Sequence, residues 1–460
     1  MNKIITIAGL TWKAAFRYRL FWVMTVLLAA AVVGLPLMLK DDGTAKGLTQ
    51  ILLTYTLTAV STLLGCATLW LSCGTLAKDV EECQMQVVSV KPIARWQIWL
   101  GKWLGILSLN AVLLALSAGA IFGLLQWRAN RLPADQQAIL HHDIFIARAE
   151  ARRPPVDLSA QVDAALKERV KGYAALSDYQ IAELRQQITG QIAAEYSEVP
   201  PGFRRRWGVD LHTLRDSLRD QPLELRVKFH AASPNPDAQY SMYWVIGPTN
   251  SAGQVTILEK LPPDSFQEFQ IPPDLLDDRG ILWVDVVNPP ENSALSFPIE
   301  DGFELLYPES SFVVNFARGM AVIFCWLALL ASIGLAAASY LSFPVAAFVS
   351  VALLIMGLSS GTIGSVVENG TITGYDPAKA GYGRSPVDIV LVPVFRGALK
   401  IIKLVEGFSP IDDLSSGRSI TWGQLGLAVL QIVVLLGGFF CVLGMIFFTR
   451  RELATAQGNN

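Results

Sequence analysis

The sequence predicts an α-helical polytopic membrane protein of six transmembrane helices, with an inserted α+β domain that ends in a β-sandwich or jelly-roll-like unit. Three observations predict it. Of the 460 residues, 52% are hydrophobic and only 17% charged, against about 25% charged in an ordinary soluble domain; mean hydropathy is +0.40. The charge deficit is uneven. Of 37 Lys/Arg and 39 Asp/Glu, residues 127–311 hold 18 and 27, leaving 19 and 12 for the other 275 residues. The charge-poor part then resolves into apolar runs of the length that crosses a bilayer, about 20 residues of helix. A net charge of −2 with no basic stripe excludes a nucleic-acid binder. The five cysteines have neither zinc-site nor disulfide-framework spacing.

Residues 1–126 hold an interfacial helix and spans one to three. Within Lys3–Arg19, Ile7, Leu10 and Ala14 share one face, and Trp12 and Phe16 suit a membrane interface. This predicts a helix lying flat on the leaflet; a plain topology anchor is the blander reading. The spans are Leu20–Leu39, Ile51–Cys73 and Trp99–Leu125. The first is too long for a signal-peptide core and follows a long basic patch. Residues 312–455 supply Phe312–Ala338, Phe343–Ile363 and Gln424–Phe448, with a break at Ser339–Pro344 because Pro344 cannot donate to a helix ladder. Between the last two spans, Val387–Phe408 is apolar but carries Arg396, Lys400 and Lys403 on one helical face. An amphipathic interfacial helix or a re-entrant hairpin near 387–408 fits this better than a seventh span.

Lys3, Lys13, Arg17 and Arg19 precede the first span, Lys78, Lys91 and Arg95 follow the second, and Arg450 and Arg451 follow the last. The positive-inside rule therefore puts both termini in the cytoplasm and residues 127–311 outside, in the periplasm of a cell whose inner membrane holds the chain. The loop between spans five and six runs against this rule, with Lys379, Arg384 and Arg418 beside the three basic residues above.

The inserted domain reads as helical over 134–218, from the spacing in Val162–Leu176 and Tyr179–Tyr196 and a weak capping box at Ser177-x-x-Gln180. From 223 to 310 the period changes. Leu223–Ala231, Tyr240–Ile246, Gln254–Leu261, Phe266–Ile271, Gly280–Val287 and Phe303–Tyr307 are short, β-branched or aromatic, and separated by Pro, Gly and Asn. Such a domain binds a ligand or partner, or serves as a rigid spacer or lid. Arg204-Arg205-Arg206 is either a lipid-facing basic patch or a solvated surface. His141-His142-Asp143 makes no metal site, since adjacent histidines point apart and no third ligand has useful spacing.

The chain has no G-x-x-x-x-G-K-[ST], H-E-x-x-H, G-x-S-x-G or paired C-x-x-C. No Asp or Glu lies within the spans, which disfavours ion-coupled transport, proton pumping and intramembrane aspartyl proteolysis. Two classes remain: a transporter driven from outside the chain, and a membrane-anchored sensor or adaptor with a ligand- or protein-binding extracytoplasmic β-domain. An enzyme is not expected. The segment Gly74–Gln97 carries Asp79, Glu81 and Glu82, a short helical stretch, then Lys91-Pro92-Ile93-Ala94-Arg95 and Gly101-Lys102 at the opening of span three. A short helix between two spans acts as a lever; the bland alternative is an ordinary positive-inside loop. Asn110, Asn315 and Gln431 are polar residues inside spans, either pathway-lining or helix-bonding, and Gly357–Gly364 allows close helix packing.

The interfacial helix, the acidic then K-P-x-x-R loop leading into L-G-K, six spans, Phe408–Trp422 (FSPIDDLSSGRSITW) and the closing Phe447–Leu453 together resemble ABC-2-type transporter permeases, most closely the permease components for multicopper-enzyme maturation. The resemblance covers about 1–126 and 312–455; the 127–311 insertion departs from the compact pattern. It implies a second permease subunit, as homodimer or heterodimer, and a separate cytoplasmic ABC ATPase that binds ATP and Mg, with no cofactor on this chain. It implies docking of that ATPase at Asp79, Glu81, Glu82, Lys91, Pro92 and Arg95, and a pathway at the permease dimer interface.

Overall fold

In the computed structural model the described residues are 3–17, 19–38, 44–81, 93–140, 145–154, 156–171, 178–218, 221, 223–232, 239–248, 253–299, 301–372, 375–376, 381–382, 387–405 and 407–451. The chain divides into two units: Met1–Ile146 with Ser311–Asn460, and Ala147–Ser310.

The first unit is helical apart from one short strand pair, Tyr375–Asp376 with Gly381–Tyr382. Its elements are α1 (Lys3–Arg17), α2 (Arg19–Met38), α3 (Ala45–Glu81), α4 (Arg95–Ala129), α5 (Ala134–Ile139), then, after the second unit, α9 (Phe312–Tyr340), α10 (Phe343–Leu358), α11 (Ser360–Asn369), α12 (Asp388–Lys403), α13 (Pro410–Ser415) and α14 (Trp422–Arg450). Five of these, α2, α3, α4, α9 and α14, are long and apolar enough to cross a membrane. The expected span Phe343–Ile363 is instead the bent pair α10 and α11, turned by 67° at Ser359, and counts as a sixth only if the pair is one span. The helices α3 and α4 overrun the predicted spans at both ends. Within α14, Val429–Gly437 is wound as a π-helix, a form that occurs mostly inside α-helices and often at functional sites.

Burial places α9 at the centre: 72% of its apolar stretch is buried, against 22% in α2 and α14. Small residues let its neighbours approach. A Cβ on Gly334 would run into Ser72 of α3, and one on Gly444 of α14 would lie 2.9 Å from the Trp99 indole and 3.0 Å from Ala336 Cα. The same device seats α1 on α4, where a Cβ on Gly101 or Gly105 would lie 2.7 Å from Ile7 Cβ or Thr11 Cβ. The buried face of α1 is therefore Ile7, Thr11 and Ala15. Of the apolar face Ile7, Leu10 and Ala14, Ile7 is buried against α4 and Leu10 is 55% exposed. The approach is decided by two glycines on the partner helix, which periodicity within α1 does not report. The 387–408 segment forms α12, a 16-residue amphipathic helix. Ile389, Val390, Val394 and Ile401 are exposed on it, and the buried Asp388 carboxylate accepts from Thr371 Oγ1 and the Ile372 N–H.

The second unit holds β1 (Ile146–Arg152), α6 (Ser159–Val170), α7 (Asp178–Ser197), β2 (Glu198–Val199), β3 (Arg204–Asp210), α8 (Arg215–Leu218), β4 (Leu223–Val227), β5 (His230–Ala231), β6 (Tyr240–Ile246), β7 (Val255–Leu261), β8 (Gln267–Ile271), β9 (Ile281–Val287), β10 (Leu295–Ser296) and β11 (Phe303–Ser311). Two four-stranded sheets, β1-β11-β4-β8 and β3-β9-β6-β7, share one apolar core around Trp207, Trp244, Phe229 and Phe297, as in a β-sandwich. A separate short sheet, β2-β10-β5, adds Val199 and Leu295 to the same core.

The expectation of helix throughout 134–218 is corrected here: it holds for α5, α6 and α7, but β1 and β3 are strands. In β1 the run Ile-Ala-Arg-Ala-Glu-Ala-Arg alternates small and charged residues with period two. Its alanines, glutamate and arginines favour helix as single residues, and pairing beside β11 overrides that preference. In β3, Trp207 and Val209 point into the core. Arg206 grips Asp285 of β9 through two 2.7 Å bonds, which hold its guanidinium above its ordinary pKa. Arg205 donates to the Glu195 carbonyl at the end of α7. The arginine run is thus mostly a strand-to-strand and strand-to-helix tie. Ser177 and 141–143 lie outside the described residues.

Asp277 closes the turn into β9. Burial alone would raise its carboxyl, but the Ile281 N–H (2.8 Å), the Trp283 indole (3.1 Å) and the Arg279 N–H (2.9 Å) outweigh that and hold it below the usual 3.8. A carboxylate depressed by folding adds stability above its unfolded pKa and loses it as pH falls through the folded one. The β-unit is therefore expected to weaken on acidification below about pH 4, and Asp277→Asn to flatten that fall. Unfolding followed by tryptophan fluorescence at pH 7 and pH 3 checks it; equal slopes in both proteins refute the role.

Candidate functional site

Beside the 82–94 connection several helix ends of the helical unit meet and are tied by side chains. The parts of this cluster come from the end of α3 and the start of α4, the two helices that flank the connection. On α3 the contributors are Thr75, Lys78, Asp79 and Glu81; on α4 they are Arg95, Trp99 and Lys102, spaced along one face.

Lys102 is 7% exposed at its side chain. An ammonium so buried needs a partner, and it has two on α3: the Asp79 carboxylate at 2.5 Å and the Thr75 carbonyl at 2.8 Å. Asp79 keeps 26% of its own surface, so one end of the pair is wet. Glu81 reaches α10, where its carboxylate accepts from the Phe343 N–H at 3.0 Å. A helix start leaves such N–H groups without intrahelical partners and favours negative charge. Lys78 stands 5.1 Å from the centre of the Phe343 ring, and that ring meets Trp70 edge-on at 5.0 Å.

Arg95 closes the opposite kind of end. It donates to the carbonyls of Phe448 (3.0 Å), Thr449 (2.7 Å) and Arg451 (2.8 Å), where α14 runs out. A cation on orphan carbonyls is the favourable match for a helix C-terminus. Arg451 in turn donates to Ala338 and Ser339 at the end of α9, both at 3.3 Å, and the Trp99 indole donates to Ser339 Oγ at 3.2 Å. Ends of α3, α4, α9, α10 and α14 are thereby cross-linked, with Glu81 at the start of α10, Arg95 at the end of α14 and Arg451 at the end of α9 each matched in charge to the end it meets.

Of the predicted docking residues, the structure thus brings Asp79, Glu81 and Arg95 into one cluster; Glu82, Lys91 and Pro92 lie outside the described residues. Asn110 is buried and donates to Thr68 Oγ1 at 2.8 Å, joining α4 to α3. Asn315 is buried on α9 and pairs with the segment after α13: it donates to the Arg418 carbonyl and accepts from the Ile420 N–H, both at 2.7 Å. Gln431 is half-buried in the π-helical stretch.

Sequence reasoning missed Lys102 as a paired ion, and it missed Arg318. One turn after Asn315, Arg318 is buried, donates to the Ile420 carbonyl at 2.9 Å and lies 4.5 Å from the Trp422 ring centre. Its signal was present: a charge inside an apolar run earns attention by default. Among the described residues no group of three or more His, Cys, Asp or Glu could hold a metal ion. The cluster contains no nucleophile–base pair; its charged groups are spent on helix ends. No protein-family model, curated protein or solved structure matches this chain.

Proposed function

We propose that the chain is the membrane-spanning permease subunit of an ABC-2-type transporter. It works with a second permease subunit and a separate cytoplasmic ATPase that binds ATP and Mg, with both termini and the 82–94 connection in the cytoplasm and residues 127–311 outside. The observation that supports this most is the tying of five helix ends beside that connection. A loose loop would absorb a push, whereas Asp79–Lys102, Glu81–Phe343 and Arg95 on the end of α14 pass it to α3, α4, α9, α10 and α14 together. The energy source lies elsewhere, because the chain has no phosphate-cradling loop. Of the intraspan polar residues, Gln431 is the best candidate to line a pathway at the permease interface; Asn110 and Asn315 hold helices and a loop in place.

The test is co-purification with the partner ATPase and its stimulated turnover. Reversing Glu81 and Glu82 to Lys is expected to cut both about tenfold or more, the equivalent of one lost charge-assisted bond of about 1.4 kcal/mol. Glu81→Gln, which keeps an acceptor for Phe343, separates loss of charge from fraying of α10. Unchanged capture and turnover in the double reversal would remove the coupling role.

A further inference from the structure

The helix α10 begins at the helix-end cluster, with its Phe343 N–H on Glu81, and runs for 16 residues. That is a rise of about 24 Å, short of the roughly 30 Å of a hydrocarbon core. At Ser359 the chain bends by 67°, so the bend falls near the far edge of the core. There α11 and α12 follow, packed against one another. Gly370 ends α11 with a left-handed φ of 67°. The Asp388 carboxylate, accepting from Thr371 Oγ1 and the Ile372 N–H, pins the first turn of α12 to the residues just after that glycine. The pin fixes which side of α12 faces inward: Asp388 and Val392 are its buried residues.

The remaining surface carries two stripes. Val390, Val394 and Ile401 each keep more than half of their surface exposed, and helical geometry sets them within about 40° of arc. Arg396, Lys400 and Lys403 run beside them within about 60° of arc, all three exposed. Among the described residues none of these cations has an ion-pair or hydrogen-bond partner. An exposed apolar stripe flanked by unpaired cations is the pattern a bilayer surface takes up. The apolar side chains enter the acyl boundary, and the long basic stems carry their charged heads to the phosphates.

We infer that α12 lies in the bilayer surface at the end of α10 remote from the 82–94 connection, and that Arg396, Lys400 and Lys403 hold the phosphates of anionic phospholipids there. The inference rests on the chain spanning a membrane, not on its being a permease. It gives a cause to basic residues that run against the positive-inside rule: they are headgroup ligands, placed by α12 rather than by sidedness. A soluble anion would use the cations and leave Val390, Val394 and Ile401 in water. A second copy docked on the same face about a two-fold axis would set the cations of one helix against those of the other. A leaflet containing anionic lipid satisfies both stripes.

The full chain in nanodiscs of phosphatidylcholine and phosphatidylglycerol in equal parts, released for native mass spectrometry, tests the cations. Retained phosphatidylglycerol is expected to exceed phosphatidylcholine severalfold. The triple variant Arg396→Gln, Lys400→Gln, Lys403→Gln loses most of that excess, and Lys400→Arg with Lys403→Arg keeps it. An excess unchanged in the triple glutamine variant overturns the site. The seat of the helix is read by a nitroxide on Val394→Cys, in a chain whose five cysteines are replaced by alanine. Oxygen is expected to relax that label and a water-soluble nickel chelate to miss it, whereas the chelate reaches a label on Arg396→Cys. A chelate that reaches position 394 overturns the inference. Close coupling between labels on two copies does so too, by making this face a subunit contact. A label on Val26→Cys, an exposed position of the apolar α2, is the control: if the chelate reaches it as well, the membrane reading itself fails. Should the cysteine-free chain not fold, the mass-spectrometric comparison decides alone.

Discussion

Asp79→Ala is expected to destabilise the helical unit by about 3 kcal/mol, the lower end of the cost of stripping a buried charge of its partner. The ammonium of Lys102 is 7% exposed, and its other bond, to the Thr75 carbonyl, carries no compensating charge. Removing the carboxylate leaves a cation in an apolar wall. The reverse change, Lys102→Met, should cost less, because Asp79 is 26% exposed and water can take the place of the ammonium. The double change Asp79→Leu with Lys102→Met should recover most of the loss, since an apolar pair of similar volume needs no counter-charge. Unfolding of the four proteins in mixed micelles reads the order directly. If Asp79→Ala proves no worse than Lys102→Met, the buried ammonium is not the element that fixes α3 to α4.

Gly334→Ala should have a comparable effect by a different route. The added methyl would run into Ser72 Oγ and lie 2.9 Å from Ser72 Cβ and 3.3 Å from Cys73 Sγ. Both are on α3, whose backbone is fixed over ten turns, so relief requires α3 and α9 to separate. Overpacking of this kind costs about 1–3 kcal/mol, and more where neighbours cannot yield. Here the contact lies against the most buried helix of the unit. Ser72→Gly in the same chain removes both offending atoms and should restore stability; Ser72→Ala should restore little, because Ser72 Cβ remains. A stable Gly334→Ala single variant would show that the helices have room to part.

Much of the helical unit was legible because crossing a membrane imposes one long apolar run per helix, and such runs survive any arrangement of neighbours. Positions facing one another were not legible. Asn110 and Asn315 stood out as polar in apolar runs, but their partners, Thr68 and the backbone at Arg418 and Ile420, are 42 to 105 residues away. The sequence marks Asp79, Glu81 and Arg95 as charges around a short connection. It does not say that they face other helix ends, since Phe343 and Phe448 are selected as partners only by folding. The seat of α1 was not legible for the same reason: Gly101 and Gly105 decide it from another helix. In the β-unit the strands after 223 were read from their aromatic and β-branched alternation. The strand β1 escaped because its alternation is carried by alanine against arginine and glutamate, a pattern whose period is two and whose composition favours helix.

The points where the chain leaves and re-enters the helical unit are held by that unit's own bonds. The Phe312 N–H donates to the Phe145 carbonyl at 3.0 Å, and the two rings stack at 5.1 Å, with Phe316 and Phe122 beside them. In the inserted unit, β1 and β11 are neighbours in one sheet. An excursion anchored in this way is a cassette. Its host closes the gap on either side of it, so the cargo between the two phenylalanines is free to be lengthened, exchanged or trimmed to a tight turn over evolutionary time without re-knitting the scaffold that carries it.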